Sequence, residues 1–127
     1  MKIDIKLTVD MEKHKIIGEL FLLRDLAHLR HLQTTSYAEH IALEEFYTAL
    51  LPLIDQLAEV MQQRHTLSFS IPNSSTGLIS TDGRINIFFD AFKGFVKDHE
   101  YTRAENNILD DIFTLIDQTK YKLNNLV

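Results

Sequence analysis

Apolar residues recur along this chain mostly at helical spacing, in four stretches separated by turn-rich gaps. Between about residues 11 and 33, Ile16, Ile17, Leu20, Phe21, Leu23 and Ala27 share one face, with Asp10 placed as an N-cap. Thr34, Thr35 and Ser36 interrupt the pattern, and a second helix is expected over 37–63 with Ser36 and Glu39 spaced as a capping box. Pro52 lies inside it and predicts a bend near 48–52, because it removes one backbone donor. Residues 66–80, with Pro72, Asn73, Ser74, Ser75 and Gly77, read as a loop. A third helix is expected over 82–99, where Phe88, Phe89, Phe92 and Phe95 read as core or interface packing. Gly94 costs it about 1 kcal/mol against Ala unless a close contact needs the missing Cβ. Thr102 and Glu105 form a capping box for a fourth helix over 103–124, which buries Ile108, Leu109, Ile112, Phe113, Leu115 and Ile116.

Residues 3–9 follow a different period. Ile3, Ile5, Leu7 and Val9 alternate with polar neighbours, which predicts a short strand. A strand needs a partner for its backbone, and the matching alternation of Leu67, Phe69 and Ile71 offers one; otherwise residues 1–10 form an extended arm on a neighbour. The expected fold class is therefore all-α, an antiparallel four-helix bundle with this N-terminal strand or arm, in one domain spanning residues 1–127. A chain of 127 residues can bury roughly two-thirds of its unfolded surface without covalent staples.

Composition narrows the chemistry. The absence of cysteine excludes disulfides and thiolate metal sites, so any metal must be held by histidine and carboxylates, ligands suited to iron, zinc or manganese. A net charge of −5 disfavours nucleic-acid binding, since Lys2, Lys6, Lys13 and Lys15 are offset by Asp4, Asp10 and Glu12. No basic region followed by an apolar run opens the chain, and no apolar stretch reaches the roughly 20 residues of a membrane span, so the protein is read as cytoplasmic, without membrane contact.

Chemistry-bearing residues gather between His28 and Glu59. His40, Glu44, Asp55 and Glu59 fall within roughly 100° of one helix face at about 100° per residue. They share a stripe and not a level, because His40 and Asp55 lie roughly 22 Å apart at about 1.5 Å per residue. One ion can touch both only if two antiparallel copies of the helix meet across a two-fold axis, so any such site belongs to a dimer. Acidic pairs one turn apart are common on solvated helix faces and carry no chemistry alone. Here both pairs are flanked by apolar residues expected in the core, Ile41, Leu43 and Phe46 beside one, Ile54 and Leu57 beside the other. His31, one turn from His28, is read as a further ligand, an outer partner or a half-buried hydrogen-bonded ring. Asp25 either orients His28 or is a surface carboxylate; His14, His65 and His99 are read as surface residues.

At these positions the chain resembles the Dps-type mini-ferritins. That family's pattern of His, eleven residues, His, three, Asp, ten, Asp, three, Glu falls without a gap on His28, His40, Glu44, Asp55 and Glu59. LEEFY and IDQLAE sit where the family has similar apolar and acidic runs. The resemblance implies a ferritin-like bundle whose second and third helices are joined by a link running the length of the bundle. It implies two-fold dimers assembled into a hollow, dodecameric shell. It also implies a ferroxidase site at the dimer interface, with iron held by His28, His40, Glu44, Asp55 and Glu59. Leu29 stands where the family usually has Trp, and Glu44 where it has Asp. The expected function is iron oxidation and storage; the competing reading is a ferritin-like structural or interaction protein that has lost catalysis.

Overall fold

The computed structural model describes residues 5–63, 69–72 and 85–127, with side chains from residue 13 onward. It contains four helices, α1 (Ile5–Gln33), α2 (Tyr37–Gln62), α3 (Ile85–Lys97) and α4 (Arg103–Asn125), and no strand among the described residues. The strand expected over 3–9 is thereby corrected: residues 5–9 are the opening turns of α1, and residues 3 and 4 lie outside the described residues. A strand must borrow its hydrogen bonds from a neighbour, whereas a helix closes them locally, and α1 simply continues backward from its apolar stretch. Asp10 accordingly lies within the helix and not at its cap. Of the proposed partner strand, Leu67 lies outside the described residues, and Phe69 and Ile71 belong to no strand.

Short polar signals set the other helix ends. Ser36 caps α2, its hydroxyl accepting from the Glu39 N–H at 3.2 Å. Only half of the expected capping box forms, because the Ser36 N–H donates to Thr34 Oγ1 and the Glu39 carboxylate turns to Arg30. At α4 both halves are present, with Glu105 N donating to Thr102 Oγ1 and Thr102 N donating to Glu105 Oε1 at 2.8 Å. The second helix runs through Pro52 to Gln62, leaving the Thr48 carbonyl without its helical donor on an exposed part of the surface.

Side-chain pairings give the directions. Arg30–Glu39 and His28–Tyr47 make α1 and α2 antiparallel. Glu45–Lys122 near one end of α2, and a groove shared by Gln63 and Ala104 near the other, make α2 and α4 antiparallel. Asp90–Lys120 and Lys93–Asp117 do the same for α3 and α4. Helices α2 and α3 therefore run the same way, so the end of α2 and the start of α3 lie at opposite ends of the bundle. Between them in sequence, Ser70 crosses α1 at Gly18, where a Cβ would collide with the Ser70 carbonyl oxygen. Gly18 is the residue that admits this crossing.

Each helix contributes one stripe to a single core. Ile16, Leu20 and Leu23 meet Leu43, Phe46, Leu50, Ile54 and Leu57, with Phe89 and Phe92 from α3 and Leu109, Ile112 and Ile116 from α4. Phe46 and Phe89 touch edge to face across the bundle, ring centroids 5.0 Å apart. Phe88 and Phe95 pack against the same core, so the four phenylalanines serve packing, as their spacing indicated. No described helix is long and apolar enough to cross a membrane.

Candidate functional site

Three of the singled-out histidines meet near the closed end of the α1–α2 hairpin. Arg30 Nε donates to Glu39 Oε1 at 2.9 Å, tying the last turn of α1 to the first of α2. Beside that pair His31 and His40 lie face to face, with ring centroids 3.6 Å apart and planes 19° from parallel. Each ring bonds to the other residue's backbone: His31 Nδ1 donates to the His40 carbonyl at 2.6 Å, and His40 Nδ1 donates to the His31 carbonyl at 2.8 Å. A carbonyl oxygen only accepts, so both Nδ1 atoms carry hydrogen and Nε2 is the lone-pair nitrogen of each neutral ring. The His31 carbonyl belongs to the last turn of α1, where carbonyls lack helical donors, and the His40 ring supplies one.

Tyr47 extends the cluster. His28 stacks on it at 4.2 Å and 17°, His31 meets it edge-on at 5.3 Å, and the Arg24 guanidinium lies 5.6 Å from its ring centroid. Tyr47 and Arg24 were not singled out from the sequence, although Tyr47 sits two helical turns after His40 on the same side of α2. Asp25 is exposed and accepts from Arg24 Nη1 at 3.2 Å, which is the surface reading of that carboxylate. His31 is 6% exposed and hydrogen-bonded through Nδ1.

The carboxylates lie elsewhere. Glu44, Asp55 and Glu59 are exposed along α2, with Glu59 bordering the groove between α2 and α4. Within one chain the structure gathers the rings of His28, His31 and His40, and Asp55 and Glu59 lie far along α2 from them. No three His, Asp or Glu side chains among the described residues are placed to hold one ion. Asp55 and Glu59 are kept from His40 by the long axial separation on a continuous α2, so Glu44, one turn from His40, is the acid of the three nearest to it along the helix.

A second polar centre lies at the opposite end. Lys13 Nζ pairs with Glu105 Oε1 at 2.7 Å in the interior, beneath the Tyr101 ring. Burial, and then the Glu105 charge, push the Tyr101 phenol far above its ordinary pKa. His14, expected at the surface, is buried in the same part of α1, which corrects that reading: it lies one residue from Lys13 on the inward side. His99 is half-buried, donating from Nδ1 to the Phe95 carbonyl, and His65 lies outside the described residues.

The chain belongs to a family of unknown function, DUF5856, whose model matches residues 31–123. That span includes His31, His40, Glu44, Tyr47, Asp55 and Glu59 and leaves out His28. No curated protein and no solved structure matches the chain.

Proposed function

We propose that this DUF5856 chain is a Dps-like mini-ferritin that takes Fe(II) as substrate, oxidising it at a site shared by two chains and storing the product. The observation that carries the reading is the symmetry of the α2 stripe: positions 40 and 59, and positions 44 and 55, share one midpoint between Ala49 and Leu50. A two-fold axis through that midpoint sets His40 opposite Glu59 and Glu44 opposite Asp55 in the same docking. Exposed Leu29, Leu32, Tyr37 and Leu51 on the two helices supply apolar surface for a second copy to cover. The parallel run of α2 and α3, with the end of one and the start of the other at opposite ends of the bundle, is also the arrangement found in ferritin-like bundles, an analogy of fold and not of function.

In this reading His28, His40 and Glu44 of one chain face Asp55 and Glu59 of its mate. The donor set is chemically suited to iron: imidazole and carboxylates give a mixed nitrogen and oxygen shell, and the anionic ligands favour the ferric product. Dioxygen or peroxide accepts the electrons; zinc or manganese could occupy the same ligands. Shell assembly and a cytoplasmic setting go with the resemblance, and DNA binding stays disfavoured by the net charge of −5.

The other reading, a structural or interaction protein without catalysis, is favoured by the His31–His40 pair, which gives both rings a complete job in closing the hairpin. Aerobic Fe(II) addition with iron counted per chain, alongside the solution mass, separates the two. The shared-site reading expects an oligomer of even order that retains iron. A monomer at micromolar concentration that retains none overturns it.

A further inference from the structure

We propose that His31 is the positioning residue for His40, so that the hairpin presets His40 as an Nε2 donor before an ion arrives; this rests on the shared-site reading above. His40 Nδ1 donates to the His31 carbonyl, which assigns the lone pair of the neutral ring to Nε2. Flipping the ring about its Cβ–Cγ bond would put a carbon in place of Nδ1 and forfeit that bond. The His31 ring, stacked at 3.6 Å, covers one face of His40 and holds its plane. His31 is in turn fixed by its own Nδ1 bond to the His40 carbonyl and by the edge contact with Tyr47.

Burial separates the two roles. His31 is almost fully enclosed, whereas His40 is half-buried on the side of α2 that carries Glu44, Asp55 and Glu59. His31 therefore acts on an ion only through His40. Partners that hold a ligating imidazole by its other nitrogen typically change metal affinity about 10- to 100-fold when removed. Here that partner is a backbone carbonyl, whose direction depends on the residue that closes the hairpin.

The test uses the full chain, Zn²⁺ as a redox-inert probe, ring-nitrogen NMR for the tautomers and calorimetric titration for affinity. The unmutated chain should show both rings as Nδ1–H tautomers, with Zn²⁺ shifting the Nε2 signal of His40 and not that of His31. His31→Ala keeps the carbonyl but removes the stacked face and the Nδ1 bond that fix it, so it should mix the His40 tautomers and weaken Zn²⁺ binding by about 10-fold, the lower end of that range. His31→Gln has no ring face and carries the same expectation should the alanine variant fail to fold. His31→Phe, which restores a stacking face, should recover most of the affinity. A Zn²⁺ shift at His31 Nε2 would make it a ligand and overturn the proposal, as would unchanged affinity in folded His31→Ala or His31→Gln. Those outcomes leave the shared site standing, whereas no response of His40 to Zn²⁺ removes the shared site and this inference together.

Discussion

Lys13 and Glu105 form a 2.7 Å ion pair in the interior, joining the first helix to the last, and the Glu105 carboxylate also accepts the Thr102 N–H that starts α4. With Lys13 6% and Glu105 0% exposed, water cannot replace a missing partner. Removing one member of a buried pair typically costs about 3–5 kcal/mol, because the other charge is left desolvated. Lys13→Met should lower unfolding stability by an amount of that order in denaturant titration. Lys13→Met/Glu105→Met removes both charges and should cost less than the sum of the two single changes. Additive losses would show that the charges are not coupled.

The two described helical glycines have opposite expectations. Gly94 is exposed and a Cβ there meets nothing within 4 Å, so Gly94→Ala should stabilise α3 by about 0.5–1 kcal/mol through helix propensity. Gly18→Ala gains the same propensity but drives a methyl group into the Ser70 carbonyl, so it should destabilise and displace residues 69–72. Thermal unfolding of both variants checks the contrast; a Gly18→Ala variant more stable than the parent would mean that the crossing is not made there.

Glu19 sits among Leu22, Leu23, Leu26, Phe88 and Phe92, and burial raises its carboxyl pKa above the ordinary value. The folded state therefore holds this proton more tightly than the unfolded chain. Its contribution to stability is fully present below the ordinary glutamate pKa and is lost as pH rises through the raised one. Glu19→Gln should flatten that part of the stability profile and make the protein more stable at neutral pH. An unchanged profile from mildly acidic to neutral pH would contradict the assignment.

Much of the fold was legible because apolar period and caps agree. Ser36 and Thr102 mark the starts of α2 and α4, and Leu43, Phe46, Ile54 and Leu57 of α2 and Leu109, Ile112 and Ile116 of α4 are buried as their spacing indicates, whereas Ile41, Ile108, Phe113 and Leu115 are only partly so. The N-terminal strand was misread because alternation over seven residues says nothing about whether a partner strand exists, and continuity with α1 decided the outcome. The close approach of Ser70 to Gly18 carries no local sequence signal. At the candidate site, spacing placed His28 and His40 on neighbouring helices, but it could not show that His31 and His40 trade backbone bonds. That exchange depends on the three-residue turn that sets the two helices in register. The buried Lys13–Glu105 pair was invisible for the same reason, since its members are ninety-two positions apart.

Subunit mixing distinguishes a proposed metal site that takes ligands from two chains from one confined to a single chain. Chains carrying His40→Ala and chains carrying Asp55→Asn/Glu59→Gln should each fail to oxidise Fe(II), each with the helical content of the parent. Mixed dimers contain one site with every ligand intact and one with both defects. Partial recovery of Fe(II) oxidation after subunit exchange, in proportion to the mixed dimers formed, is the expected result. No recovery despite demonstrated exchange would rule the shared site out.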